Sequence, residues 1–324
     1  MSARPKVFVT RLMPDAGMKL IQDACDADVW PEDLPPRHEA LLARVRGVEG
    51  IVSMVTDPID EAVIEAARPT LKVISQMAVG YDNVDVQTAR VRGIPVGHTP
   101  DVLTDATADL TFALLLASAR RIVEGMDYIR DGNWITWGPK ILLGADVTGA
   151  TLGIIGLGRI GRAVAERAKA FKMNLLTYSP RATFSDALEV GAMPVSLDAL
   201  LTESDFVSIH APLSDATRHM IDAEALAKMK PTAVLINTSR GPVVDQKALV
   251  DALKNGTIRA AALDVTDPEP MAADDPLLQL PNCIVAPHIG SATVQTRDKM
   301  AQIAAKNLLA GLKGDPLPHP VPGG

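Results

Sequence analysis

The 324-residue sequence predicts an α/β protein of two domains, each built on a parallel sheet, with two long interdomain helices linking them. Three observations carry that reading. Short β-rich runs alternate with helical patterns, a second alternating series begins near Ala150, and two long amphipathic stretches interrupt the pattern. The length agrees, since a single hydrophobic core rarely grows much beyond ~250 residues.

In the first hundred residues, β-rich runs at Lys6–Thr10, Gly50–Thr56 and Leu71–Val79 are separated by helical patterns near Asp15–Cys25, Arg37–Val45, Pro58–Ala67 and Asn83–Val91. Such alternation implies parallel strands joined by crossover helices. The interrupting stretches cover Thr104–Arg130 and Ser291–Leu312. Phe112, Leu115, Leu116, Ala119, Val123 and Met126 share one face of the first; Met300, Ile303, Ala304, Leu308 and Leu312 share one face of the second. Each follows a proline, Pro100 or Pro287, and each is expected to cross between domains. The expected division is a discontinuous domain of residues 1–99 with 288–324, and a second domain of residues 100–287.

Composition narrows the function. The chain is 47% hydrophobic and 22% charged, with a net charge of −7 and a pI near 5.4. This is a globular composition whose bulk charge recruits neither nucleic acid nor an anionic membrane. The apolar stretch around Leu110–Ala119 falls short of the ~20 residues that span a bilayer. The amino terminus shows no cleavage pattern. Cys25 and Cys283 read as buried free thiols rather than as a disulfide or metal site, so a reducing, cytoplasmic setting is expected. No spacing suggests zinc, and no serine elbow is present.

The second series opens with an apolar strand, Leu152–Ile155, then Gly156-Leu157-Gly158-Arg159-Ile160-Gly161, then a helix over Arg162–Phe171. Between a strand and a helix this string is a dinucleotide fingerprint. Gly156 permits a tight turn, Gly158 lets backbone approach a pyrophosphate, and Gly161 lets helix pack on strand. The helix N-terminus offers unpaired N–H groups to the phosphates. After the next strand, Asn174–Tyr178, an acid would bind a ribose 2′-hydroxyl; here stand Ser179 and, two residues on, Arg181. A hydroxyl and a guanidinium favour a 2′-phosphate, so NADPH is the preferred cofactor, with NADH possible; a solvated Ser179-Pro180-Arg181 turn is the other reading.

Three later loops each follow an expected strand. Ala233–Asn237 leads to Thr238-Ser239-Arg240-Gly241, Arg259–Leu263 to Asp264 and Glu269, and Cys283–Ala286 to Pro287-His288-Ile289-Gly290. Loops at the carboxyl ends of parallel strands face the ligand crevice. Reduction of a 2-keto acid needs a cation to fix the carboxylate and polarise the carbonyl, which suits Arg240. It needs a general acid near neutral pH, which suits His288. A carboxylate beside that histidine fixes its tautomer and favours imidazolium, which suits Glu269. Singly, each residue also reads as an ordinary surface or hydrogen-bonding group; His38, His98, His210, His219 and His319 lack this setting.

These motifs, with Val79-Gly80-Tyr81-Asp82-Asn83 and Thr99-Pro100-Asp101-Val102-Leu103-Thr104-Asp105, resemble the D-isomer-specific 2-hydroxyacid dehydrogenases over essentially the whole chain, glyoxylate/hydroxypyruvate reductases most of all. The resemblance implies two Rossmann/flavodoxin-like domains: the discontinuous one binds substrate, and residues 100–287 bind the dinucleotide. It implies catalysis by Arg240, Glu269 and His288. It places the substrate carboxylate on the backbone N–H groups of Val79 and Gly80, with Val55 and Ser291 lining the pocket. Asp264 would hold the nicotinamide carboxamide, and Gly156, Gly158, Arg159, Ile160, Pro212 and Thr238 would join Ser179 and Arg181 around the cofactor. It implies a homodimer formed through an arm near Arg120–Val147, from which Trp137 would reach the partner's substrate pocket. With the sequence ending at Gly324, no regulatory extension like that of long phosphoglycerate dehydrogenases is expected. Two alternatives stay open: the same chemistry on 2-ketogluconate, a phenylpyruvate-like acid or 3-phosphohydroxypyruvate, or a non-catalytic nucleotide-sensing module on the same fold.

Overall fold

The computed structural model describes residues 3–322. The chain divides into two compact units, residues 1–103 with 292–324, and residues 104–291. In chain order the first unit runs β1 (Lys6–Val9), α1 (Asp15–Ala24), β2 (Asp26–Val29), α2 (His38–Arg44), β3 (Gly50–Ser53), α3 (Glu61–Ala67), β4 (Val73–Gln76), α4 (Val86–Val91) and β5 (Val96–Gly97). The second unit runs α5 (Thr104–Ala119), α6 (Ile122–Arg130), β6 (Thr151–Ile155), α7 (Arg159–Ala170), β7 (Asn174–Tyr178), α8 (Phe184–Glu189) and β8 (Ala192–Pro194). It continues through α9 (Leu197–Glu203), β9 (Phe206–Ile209), α10 (Ala223–Lys228), β10 (Val234–Asn237), α11 (Gln246–Lys254), β11 (Ala260–Leu263) and β12 (Cys283–Val285). The chain then returns to the first unit as α12 (Val294–Lys313).

The first unit is a five-stranded parallel sheet in the order β2-β1-β3-β4-β5. Alternate side chains bury on opposite faces. Phe8, Ile51 and Ile74 pack with Leu41, Val63 and Ile64, while Val7, Val9, Val52 and Val73 pack with Ile21, Met300, Ala304 and Leu308. Burial of both faces is why these strands read as continuous apolar runs, and each large side chain so buried contributes ~1.5–3 kcal/mol. Strands β3 and β4 stop at Ser53 and Gln76, short of the expected Thr56 and Val79, because the chain leaves the sheet there into loops at its carboxyl edge. Strand β2 was not expected: Asp-Ala-Asp-Val is a half-exposed edge strand paired to β1, with little apolar content to mark it.

The second unit is a seven-stranded parallel sheet in the order β12-β11-β10-β9-β6-β7-β8. The chain builds outward from β6 through β7 and β8, then returns to add β9 to β12 on the other side, so β6 and β9 flank a topological switch point. Leu152, Ile154, Val234 and Ile236 bury on one face with Phe112, Leu115 and Val164; Ile155, Val207, Leu235 and Leu263 bury on the other with Leu226 and Leu249.

The long helix expected over Thr104–Arg130 is two helices. Arg121 adopts φ 52°, and the Ala119 carbonyl accepts the Ala145 N–H at 2.8 Å. α5 keeps Phe112, Leu115 and Ala119 in the core, where Phe112 stacks on Phe171 at 5.3 Å. α6 buries no residue, and Val123 and Met126, expected on the same face, are exposed. Each long helix packs on the sheet of its own unit, α5 on β10 and β11, α12 on β3 and β4. The crossings fall at Leu103/Thr104 and Ser291/Ala292, past the expected 99 and 287, which leaves His288 in the second unit. Among the described residues no helix is long and apolar enough to cross a membrane. Cys25 and Cys283 are free, and burial raises both thiols, Cys283 to about 12.

Candidate active site

The glycine string sits at the switch point. Gly156 turns the chain with φ 94°, and a Cβ there would lie 2.8 Å from the Ala211 nitrogen and the His210 carbonyl. A Cβ on Gly161 would lie 2.1 Å from the Gly156 oxygen, so α7 packs directly on the turn. A Cβ on Gly158, by contrast, would meet nothing within 4 Å. The two outer glycines are thus closed by protein and the middle one is open. α7 begins at Arg159, three residues earlier than expected, so Arg159, Ile160 and Gly161 form its first turn with Gly158 as the cap. The first turn of a helix presents N–H groups that have no intrahelical acceptor, together with the positive end of the helix dipole, a fit for a pyrophosphate. Ser179 follows β7 and is half-buried, and its carbonyl accepts the Ala182 N–H at 3.1 Å. Arg181 is exposed on that turn. Pro212 is exposed beyond β9, its carbonyl accepting the Thr217 hydroxyl at 2.7 Å.

Strands β10, β11 and β12 are neighbours, so the loops that follow them lie side by side. After β12, His288 adopts φ 54°, a left-handed conformation unusual for a residue with a side chain. Asp264, at the end of β11, holds it there. The Asp264 carbonyl accepts the His288 N–H at 2.9 Å, and its two carboxylate oxygens accept the Ile289 and Gly290 N–H groups at 2.7 Å each. Burial pushes the Asp264 carboxyl up, against the two amide donors and the nearby His288. The His288 ring is about one-third exposed, and its Nδ1 is hydrogen-bonded to Glu269 Oε1. A carboxylate partner makes Nδ1 the donor, which leaves Nε2 for chemistry.

Arg240 is half-buried on the loop after β10, one guanidinium nitrogen donating to the Ser239 carbonyl at 2.9 Å. Asn237 shapes that loop: its Oδ1 accepts the Ser239 N–H and hydroxyl, and its Nδ2 donates to the Arg240 carbonyl at 2.9 Å. Gly241 lets it press against the next loop, since a Cβ there would lie 1.9 Å from the Thr266 oxygen. Thr238 is buried with its hydroxyl 2.9 Å from that of Thr111. The Thr111 proton goes to the Thr107 carbonyl at 2.8 Å, so Thr238 is the donor. Thr107 in turn donates to the Gly290 carbonyl at 3.3 Å. Sequence reasoning named Asn237 as a strand end and gave it no role, and it passed over Thr107 and Thr111; the sign available was two threonines at i, i+4 on the buried side of an apolar helix. It also set aside His210, which lies beside the glycine turn with Nε2 at 2.8 Å from the Ser208 hydroxyl.

In the first unit, Val55 is half-buried on the loop after β3, and Val79 and Gly80 are half-buried on the loop after β4. Ser291 is buried just after the His288 loop. Trp137 stands 79% exposed on the irregular segment after α6. Among the described residues no group of three or more His, Cys, Asp or Glu side chains is placed to hold a metal.

A doubly wound sheet with a glycine turn at its switch point, and a histidine–glutamate pair at the same carboxyl edge, has the arrangement of a dinucleotide-dependent oxidoreductase. The NAD binding domain of the D-isomer specific 2-hydroxyacid dehydrogenases matches residues 112–290, and the chain belongs to that family. It is 51% identical over 317 residues to a glyoxylate reductase of Korarchaeum cryptofilum, covering 98% of this chain and 95% of the relative. A crystal structure of a Thermus thermophilus protein superposes with a TM-score of 0.91 at 47% identity, covering 98% of this chain and all of that one. An NADPH-dependent glyoxylate/hydroxypyruvate reductase of Sinorhizobium meliloti, solved with NADP and malonate, superposes at 0.86 with 31% identity, covering 98% and 97%.

Proposed function

We propose that this chain is a glyoxylate/hydroxypyruvate reductase that prefers NADPH. The observation that carries the reading is the Glu269–His288 pair, its histidine on a loop anchored by Asp264, set on the glycine-turn sheet of a 2-hydroxyacid dehydrogenase. When bound, the reduced nicotinamide supplies a hydride to the keto carbon. Glu269 fixes the ring tautomer, and His288 delivers the proton from Nε2 to the carbonyl oxygen as it becomes an alkoxide. Arg240 pairs with the substrate carboxylate and polarises the carbonyl. The Val79 and Gly80 N–H groups serve as donors to a keto-acid carboxylate, and Val55 and Ser291 limit the size of the rest of the keto acid. Asp264 keeps lone pairs beyond its two amide donors for the nicotinamide carboxamide.

Gly156, Gly158, Arg159, Ile160, Pro212 and Thr238 surround the dinucleotide in this reading. Ser179 and Arg181 favour a 2′-phosphate because neither repels one and Arg181 pairs with it. Small 2-keto acids are favoured by the glyoxylate reductases among the relatives. The exposed apolar side chains Ile122, Val123, Met126, Ile129, Trp134, Ile135 and Trp137 support a homodimer through this arm, because so large an uncovered patch marks an interface. Two free thiols support a reducing cytoplasm.

The test is glyoxylate-dependent loss of NADPH absorbance by the purified protein, run beside hydroxypyruvate, 2-ketogluconate and phenylpyruvate. Faster turnover of one of the larger acids would move the substrate assignment. No turnover with any of them would return the chain to the nucleotide-sensing reading.

A further inference from the structure

Strand β4 ends at Gln76, and the chain then leaves the sheet through Met77-Ala78-Val79-Gly80. Three consecutive carbonyls of that segment are taken by donors of the first unit. Ala78 C=O accepts the Thr99 N–H at 2.8 Å, Val79 C=O accepts His98 Nδ1–H at 2.9 Å, and Gly80 C=O accepts Gln76 Nε2 at 3.4 Å. A carbonyl only accepts, so Nδ1 is the protonated nitrogen toward Val79. In a planar trans peptide the N–H points opposite to the C=O. Pinning the Ala78 and Val79 carbonyls therefore turns the Val79 and Gly80 N–H groups to the other side, where neither has a hydrogen-bond partner among the described residues.

The clamps differ in kind. The Ala78 carbonyl is held by backbone, which no substitution removes. The Gly80 carbonyl is held at the long limit of a hydrogen bond. The Val79–Gly80 peptide plane is set by one short bond from one replaceable side chain, His98. That side chain is itself fixed. The His98 N–H donates to the His319 carbonyl at 3.0 Å, and the His98 carbonyl accepts from the buried Asn307 Nδ2 at 2.9 Å. Asn307 Oδ1 accepts the His319 N–H at 3.0 Å, and the Tyr81 ring meets the imidazole edge-on at 5.6 Å.

We infer that His98 is a positioning residue for substrate: through the Val79 carbonyl it sets the peptide plane that aims the Gly80 N–H at the keto-acid carboxylate. This rests on the reading of Val79 and Gly80 as carboxylate donors. His98 itself touches neither substrate nor cofactor in this assignment. An ordinary core histidine would matter only for holding the carboxyl-terminal segment, and its loss would lower stability without separating one ligand from another.

Two uncharged variants distinguish these roles. His98→Asn puts an amide nitrogen where Nδ1 stands; His98→Gln puts it where Nε2 stands and leaves the Val79 carbonyl without its donor. With saturating NADPH, His98→Gln should raise KM for glyoxylate and the competitive inhibition constant for oxalate together by about tenfold, the worth of one misdirected hydrogen bond to a charged group. Its kcat and its KM for NADPH should stay near the parent values, because the binding lost is uniform between ground and transition states. His98→Asn should restore both carboxylate-dependent constants. A His98→Gln enzyme with the parent's KM and oxalate inhibition overturns the inference, as does an equal rise in both variants. If the parent reduces no 2-keto acid, the proposed function falls; if it reduces glyoxylate and only the variants disagree, the positioning role alone falls.

Discussion

The two units carry the same kind of sheet and present different things at its carboxyl edge. In the first unit the edge offers backbone: the Thr99 N–H and the His98 ring hold the Ala78 and Val79 carbonyls, which turns the Val79 and Gly80 N–H groups the other way. In the second unit the edge offers side chains, Arg240, Glu269 and His288, while Asp264 and Asn237 hold the backbone from behind. Fixed dipoles are enough to bind a carboxylate. Proton transfer needs a group that changes charge, and so needs a side chain. The comparison predicts that substitution of His288 or Glu269 acts on turnover, and substitution behind the first edge acts on substrate affinity.

The largest effect tests the second edge directly. His288→Gln should lower kcat for glyoxylate reduction by ~100-fold or more, the usual worth of a positioned general acid, with KM changed little. Single-turnover rates with bound NADPH would check it. Near-parental turnover would end the assignment of His288 as the acid and with it the contrast between the two edges.

Next in size is the dinucleotide side of the second unit. A well-formed contact between Arg181 and a 2′-phosphate is worth ~1.5–3 kcal/mol, or roughly 10- to 150-fold in affinity. The parent should show the higher kcat/KM with NADPH, mostly through KM, and Ser179→Asp with Arg181→Ala should reverse the preference. Measuring kcat/KM with each cofactor in both proteins decides it. A parent that prefers NADH would mean that the exposed Arg181 serves only the turn.

The contrast also explains what was legible in the sequence. Chemistry carried by side-chain type is written in the residues, so Gly156–Gly161, Arg240, Glu269 and His288 stood out before any coordinates. Most of the parallel strands stood out too, because both of their faces are buried and their residues are mainly apolar, though β5, β8 and β9 were not singled out. Chemistry carried by peptide orientation is not written that way: nothing about His98 or Gln76 as letters says which carbonyl each one holds. Edge strand β2 was invisible for want of apolar content. The break at Arg121 was hidden because an apolar stripe continues through α6, yet that stripe faces outward rather than into the core of its own unit. The periodicity recorded an apolar face correctly and said nothing of what covers it.

Trp137, exposed on the segment after that stripe, yields a smaller prediction. Trp137→Ala should raise KM for the keto acid several-fold or change selectivity among keto acids, while the oligomeric state in sizing chromatography stays that of the parent. An effect of that size is expected from one aromatic wall contact, worth ~1–2 kcal/mol. Unchanged kinetics in an intact dimer would confine Trp137 to the interface and leave the pocket to Val55 and Ser291.

The smallest effect separates two histidines of the second edge. His288 is partly exposed and paired with a carboxylate, whereas His210 has its Nδ1 buried without a partner, and burial pushes its imidazole down to about 3. His210 is therefore neutral in the folded protein at every pH of interest and cannot serve as an acid there. In the unfolded chain it takes up a proton near the ordinary value of ~6.5. As pH falls below that value, the unfolded state binds a proton that the folded state refuses, so stability present above ~6.5 is lost progressively down to about 3. At pH 5 the loss is ~2 kcal/mol, or ~4–8 °C in Tm for a unit of this size. His210→Gln keeps a polar partner for Ser208 and removes the titration. Its Tm should fall less between pH 7.5 and pH 5 than the parent's, with kcat for glyoxylate preserved. Equal acid sensitivity in the two proteins would show that the His210 ring gains its proton without unfolding, and would blur the line between a buried histidine and a catalytic one.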